Sequence, residues 1–489
     1  MIGAAALVLA LQGGSIEAGR LLVVAPGGFR DALEPLLAHR RAERFRVEFV
    51  AAEEGTGQEG KSIAAFLRGR LSGGEAPTHI LLVGDAALLP AEVLEEDGAR
   101  TASDERWVPE GRRRPAIGRL PARDVGEAGR LVERILRYER GEARGPWRAR
   151  VLLTAGEGGF GSAADRAIEA GARLAAGAAL PEGFELRVVR LSAGADPGER
   201  ELRESLTRAL EPGALLWVYA GHGNARSLAS GVGSGFLPSP PERTVRSLRL
   251  SDARALRCGG HAPVAILLAC ETALLRPGAE CLAEALVRSA DGPVAVLGAG
   301  AVSHPLGDLA LALEVGRALR GDREARLGEI VGRAREALLR DSTDRGFLER
   351  GGLLFGIGEE SRRQILRRTA LQYLLLGDPA LRLPRPSPVR VEVDRGEEQV
   401  VVRGAVEGEG EGFARVEVER APGARRDEEG VLARAAVEFS GASFRVPLDS
   451  RRLEGPLRVR AFVRRGNREW AGEARVPLRG EGSPAGSER

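Results

Sequence analysis

Lysine is almost missing from this chain. Lys61 is the single example, so nearly all of the 72 basic side chains are arginine. They face 69 acidic residues, the net charge is +3, and arginines interleave with Glu and Asp throughout. A nucleic-acid binder should carry a segregated basic face, so the pI near 9.0 reads as a GC-rich coding bias and no nucleic-acid partner is expected. Cysteine is scarce as well. Cys258, Cys270 and Cys281 are odd in number and lack CxxC spacing, which argues against a disulfide framework and a zinc site. No His/Cys/Asp cluster has transition-metal spacing, so no metal is expected in the chemistry and no cofactor is required. No apolar run approaches the roughly 20 residues that cross a bilayer as a helix, so no integral membrane segment is expected. The opening MIGAAALVLAL resembles a signal-peptide h-region but lacks the basic n-region; residues 1–19 are read as a signal segment on that basis.

What is present is ordinary for a soluble protein: 43% hydrophobic and 29% charged residues in 489, enough for about three domains. Arg20–Ala25, Phe45–Val50 and His79–Val83 read as buried strands, with Asp31–Arg41, Ser62–Leu71 and Val125–Arg140 as helices. Residues 20–145 thus form one α/β unit with a mostly parallel sheet. A second, 146–385, has candidate strands at Arg150–Thr154, Glu185–Leu191, Ala214–Ala220, Val264–Ala269 and Val294–Leu297. Its helices are expected at Ala163–Ala176, Glu199–Leu210, Cys281–Ser289, Leu309–Leu319 and Arg323–Leu339. Continuous apolar strands such as ALLWVYA and VAILLA need cover on both faces, as in a helix-flanked parallel sheet. Pro384-Arg385-Pro386-Ser387-Pro388 reads as a stiff linker. Beyond it the period changes to two, and seven short strands over 386–479 predict an immunoglobulin-like β-sandwich; 480–489 read as a disordered tail.

In open α/β sheets ligands sit at the carboxyl ends of strands. The strand Ala214–Ala220 ends in Gly221-His222-Gly223, and Val264–Ala269 ends in Cys270. An imidazole at one strand tip can meet a thiol at the next across about 5 Å. A free thiol has a pKa near 8.5 and is only a few per cent thiolate at neutral pH. A neighbouring imidazolium raises that fraction and can protonate a leaving amine. Gly221 and Gly223 allow close backbone approach, and the Gly223 N–H is an oxyanion candidate.

Several motifs appear in a specific order: Tyr219-Ala220-Gly221-His222-Gly223, Ala269-Cys270, Ala283-Glu284-Ala285-Leu286, Val294–Val296 and LLGDPAL at Leu375–Leu381. With LLVGDA at Leu81–Ala86 and IGRLPAR at Ile117–Arg123, this order resembles the gingipain-like cysteine peptidases, relatives of caspases and legumain. The resemblance spans roughly Arg20 to Leu478. It implies two caspase-like α/β subdomains followed by an immunoglobulin-like sandwich. The implied activity is that of an exported bacterial cysteine endopeptidase, secreted or held at the cell surface or periplasm, acting on protein or peptide substrates. By the same resemblance Cys270 is the nucleophile, His222 the general acid/base, and Glu157, in Gly156-Glu157-Gly158-Gly159, the group that orients the imidazole. Cys270 joins Gly223 as an oxyanion donor, Asp165 is the nearest candidate for substrate specificity, and relatives often carry structural calcium, for which no motif assigns ligands. The sequence assigns no oligomeric state.

Two departures stand out. Glu271-Thr272 follow the cysteine where the family has small residues. A Glu271 carboxylate about 6 Å from the sulfur would cost the thiolate roughly 2–3 kcal/mol at an effective dielectric near 20. This feature supports an alternative, the same fold without catalysis, serving as a binding or surface scaffold. The segment Asn224–Arg249 is rich in Gly, Ser and Pro and reads as a loop. His304, after the Val294–Leu297 strand, and Glu271 are the further candidates for substrate contact. The glycine pattern from Gly156 to Gly161 fits a dinucleotide fingerprint, but Glu157 would sit against the pyrophosphate and Arg190-Leu191-Ser192 offers no ribose-binding acid. Cys258 and Cys281 are expected to be packing residues, and Asp378 a backbone brace.

Overall fold

The computed structural model describes residues 18–56, 63–96, 99–107, 114–156, 179–191, 198–232, 243–340, 358–420, 431–453 and 455–477. Its centre is one ten-stranded sheet rather than the two sheets expected. The first half runs Phe45–Ala51, Gly19–Ala25, His79–Val83, Ala116–Leu120 and Tyr373–Leu376, all parallel. The second half runs Ala295–Ala299, Val264–Leu268, Leu216–Ala220, Arg150–Ala155 and Glu185–Arg190, also parallel within itself. Between Tyr373–Leu376 and Ala295–Ala299 the pairing is antiparallel, so the halves point in opposite directions. The Tyr373–Leu376 strand that joins them was not anticipated. It is short and follows the Glu359–Gln372 helix without a break, so no turn residue marks its start.

Burial explains the element choice. Every side chain of His79–Val83, Val264–Leu268 and Ala295–Ala299 is buried, because helices cover both faces of a parallel sheet. The helix Val125–Arg140 has the expected bounds. Asp124 caps it by accepting from the Glu127 amide, and Gly141 ends it at φ 68°, where a side chain would be strained. The helix Pro305–Arg320 packs on Val264–Leu268, and Leu327–Leu339, packed beside it, lies against Ala116–Leu120. This helix pair therefore straddles the seam.

The first half is also held by buried charge. Arg40, fully buried, donates from Nε and Nη2 to Asp378 Oδ2 at 3.0 and 2.7 Å and from Nη1 and Nη2 to Glu139 at 2.9 and 3.0 Å. Asp378 also accepts the Ala380 amide at 2.8 Å, so the Gly-Asp-Pro turn is both a brace and an ion-pair partner. Burial alone would raise the Glu139 carboxyl, but hydrogen bonding from His39 and the Arg40 charge hold it down at about 2.

Ser387–Pro388 and the strands from Val391 to Val476 form a three-stranded and a five-stranded sheet that share one apolar core. The proline-rich segment, read as a stiff linker, itself adds a strand, Ser387–Pro388 pairing parallel with Trp470–Ala471. Arg385 within it is buried and donates to the Leu319 and Asp322 carbonyls at 2.6 and 3.0 Å. Arg148 pairs with Glu469 at 2.7 Å, Glu469 also accepts the Gly145 amide at 2.9 Å, and Gly183 lies so close to Gly472 that a Cβ would meet its nitrogen at 2.5 Å.

Removing one member of a buried ion pair leaves the other uncompensated. Asp378→Ala should lower unfolding free energy by about 3–5 kcal/mol in urea melts. The stabilisation owed to Glu139, whose carboxyl lies below its ordinary 4.5, should be full above that pH and fade as pH falls toward about 2.

Candidate active site

The register of two parallel strands sets the site. Ala220 stands opposite Leu268, and the Gly221 amide donates to the Leu268 carbonyl at 3.3 Å. His222 and Cys270 therefore lie the same two residues past one rung, on strands about 4.8 Å apart. Both are half-buried.

After the rung, the two chains are locked separately. Tyr219, buried beneath the turn, donates from Oη to the Ala229 carbonyl at 2.7 Å and lies 3.1 Å from the His222 carbonyl. His222–Asn224 then pairs antiparallel with Ser227–Val232, which pairs with Arg243–Arg249. The segment read as a loop thus carries two strands, with residues 233–242 between them outside the described set. Its small and polar side chains hide the alternation that marks a strand. Gly223 presses on the other tip: a Cβ there would meet Ala269 Cβ at 2.8 Å and the Cys270 carbonyl at 3.4 Å. Gly156 closes the third side, its amide donating to the Ala220 carbonyl at 2.9 Å and its Cα packing against Gly221.

On the cysteine side, the Glu271 amide donates to Ala301 O and the Ala273 amide to Ala299 O, both at 2.9 Å. This turn places Glu271 at φ 56°, in the left-handed region. The thiol itself lies 3.8 Å from both the carbonyl and the Oγ of Ser303. Ser303 Oγ donates to Asp308 Oδ2 at 2.7 Å, and Tyr373 Oη donates to Asp308 Oδ1 at 2.7 Å. Sequence reasoning passed over all three. Tyr373 stands two residues before the LLGDPAL motif, and only the antiparallel seam brings it to this rim; Ser303 adjoins His304, which did draw notice.

Cys258 and Cys281 are buried and Cys270 is not. Burial pushes the Cys258 thiol up to about 12 and Cys281 well above its ordinary value, as expected for packing residues. Cys281, expected to open the helix, stands just before Leu282–Arg288 as its N-cap. His304 caps the Pro305–Arg320 helix, its Nδ1 accepting from Leu306 N at 3.2 Å. Glu157 and Asp165 lie outside the described residues. Among the described residues, His39, Glu43 and Glu139 bring ligand atoms within 4.8 Å of one another. Arg40 and Arg326 already neutralise those carboxylates, so the cluster does not suit calcium.

The fold is that of the gingipains. The crystal structure of the Arg-specific cysteine proteinase gingipain R aligns with a TM-score of 0.57 at 16% identity, covering 94% of this chain and 98% of that one. A complex of the Porphyromonas gingivalis RgpB pro- and mature domains aligns with a TM-score of 0.56 at 16% identity, covering 94% and 100%. Residues 16–384 match the model of peptidase family C25, and the chain belongs to that family. Family and fold together support a cysteine peptidase. No curated protein matches the sequence.

Two substitutions probe how tightly the tips are set. Gly223→Ala, with its Cβ driven into Ala269, should cost about 1–3 kcal/mol of stability in urea melts. Glu271→Gly relieves a left-handed residue and should gain up to about 1 kcal/mol.

Proposed function

We propose that the protein is a cysteine endopeptidase working through a Cys270–His222 dyad. The observation that carries this reading is the shared rung: the one cysteine that is not buried and the Gly-His-Gly histidine leave adjacent strands at equal height. The Cys270 thiolate attacks a peptide carbonyl, forming a C–S bond and placing charge on the oxygen. Backbone N–H groups of Gly223 and Cys270 are the donors for that oxyanion. As the C–N bond breaks, the His222 imidazolium gives its proton to the departing amine. Water activated by the same imidazole then hydrolyses the thioester.

Glu157 is the orienting carboxylate in this scheme. Its neighbour Gly156 packs on Gly221, which favours that role. Asp165, Glu271 and His304 are the candidates for substrate contact. The substrates are proteins or peptides, no cofactor takes part, and calcium, where present, is structural. The C-terminal pair of sheets is read as an immunoglobulin-like sandwich. The site of action is outside the cytoplasm or at the cell surface. No helix among the described residues is long and apolar enough to cross a membrane.

Cys270→Ala should abolish hydrolysis of casein and of a fluorogenic peptide library, and His222→Ala should lower it by about 10²–10⁴. Activity surviving in Cys270→Ala overturns the choice of nucleophile. A thiol that iodoacetamide labels selectively, in a protein that cleaves nothing in the library, favours the scaffold reading that Glu271 raises.

A further inference from the structure

Asp308 is a buried carboxylate behind the candidate nucleophile that the dyad does not use. Its two oxygens take one hydrogen bond each, from Ser303 Oγ and Tyr373 Oη, both at 2.7 Å. No cation faces it among the described residues. Tyr373 comes from the seam strand and Cys270 from the neighbouring tip. The ring of His304, on the cap of its own helix, is engaged with the Leu306 amide. The Glu359–Gln372 helix brings neutral Thr369 and Ile365 to Gly307 beside it. Arg335, from the Leu327–Leu339 helix, donates to the Tyr373 carbonyl and is spent on Glu105. His222 stands on the next strand tip beyond Cys270.

We propose that Asp308, acting through Ser303, sets the proton affinity of the Cys270 thiol, so that thiol and carboxyl share one proton. The proposal rests on the reading of Cys270 as the nucleophile and makes Asp308 and Ser303 positioning residues. While Asp308 is ionised it can only accept, so the Ser303 hydroxyl hydrogen points at it. Ser303 Oγ then presents lone pairs to the sulfur, which keeps S–H intact. When Asp308 is protonated the chain reverses: the acid donates to Ser303, and the Ser303 hydroxyl donates to the thiolate. The proton balance closes within the chain. The S–H bond breaks, its proton goes to Ser303 Oγ, and the serine's own proton passes to Asp308 Oδ2, with Tyr373 donating throughout. Burial raises the Asp308 carboxyl from its ordinary 3.8 to about 6, which brings its protonated form closer to neutral pH. Two such coupled groups titrate as a pair.

The test is the rate of iodoacetamide alkylation of Cys270 against pH, read by mass spectrometry on the intact chain. Cys258 and Cys281 are buried and should stay silent. The log rate of the wild type should rise, flatten from about pH 6, and rise again. Asp308→Asn, neutral and able to donate to Ser303, should give a single rise. Its midpoint should lie lower by about one pH unit, with about tenfold faster alkylation near pH 6.5. Ser303→Ala, the smaller change should the first variant fail to fold, should shorten the flat stretch. A single wild-type rise superimposable on those of both variants overturns the proposal. Alkylation needs no peptide hydrolysis, so failure of the dyad reading, seen as activity retained in Cys270→Ala, is a separate outcome.

Discussion

One rung of a parallel ladder governs this molecule. With Ala220 opposite Leu268, two chains leave the sheet at the same height, one as Gly-His-Gly and the other as Cys. A slip of one residue would turn the side chains of one strand to the opposite face. Buried apolar residues on both faces hold the ladder in place: Trp217 and Tyr219 opposite Ala265 and Leu267 on one face, and Leu216 with Val264 and Ile266 on the other. The chemistry of the rim thus depends on packing several residues below it.

The second constraint is the reversal at the seam. Because Tyr373–Leu376 runs against Ala295–Ala299, its first residue, not its last, reaches the rim that carries Cys270. A tyrosine from the end of the chain's α/β portion thereby meets Asp308 and, through Ser303, the thiol. The same strand leads directly into Asp378 and the buried Arg40 cluster. One four-residue strand ties the candidate site to the electrostatic centre of the fold.

Much of this could be read from residues alone. Apolar runs bounded by glycine gave most strands of the large sheet to within a residue or two, and the helices Val125–Arg140 and Glu199–Leu210 have the expected ends. That His222 and Cys270 follow the ends of adjacent strands was legible because position at a strand end is local. What escaped was non-local. The single sheet, the seam strand and the meeting of Tyr373 with Asp308 depend on pairing between residues far apart in sequence, 65 for Tyr373 and Asp308, and neither periodicity nor motif order encodes such pairing. The strands at Ser227–Val232 and Arg243–Arg249 escaped for a different reason, since glycine, serine and arginine on a short hairpin carry no apolar alternation.

The clamp between the two portions has a bearing on how the chain comes apart. Severed at the proline-rich segment, the peptidase portion would keep Arg148 in a cleft without its carboxylate, and Gly183 would face water where Gly472 had been. A cation stripped of its partner costs more than a lost apolar contact. Melting of the C-terminal sheets would therefore propagate into the α/β body, and the whole is expected to denature as one cooperative block instead of shedding a detachable module.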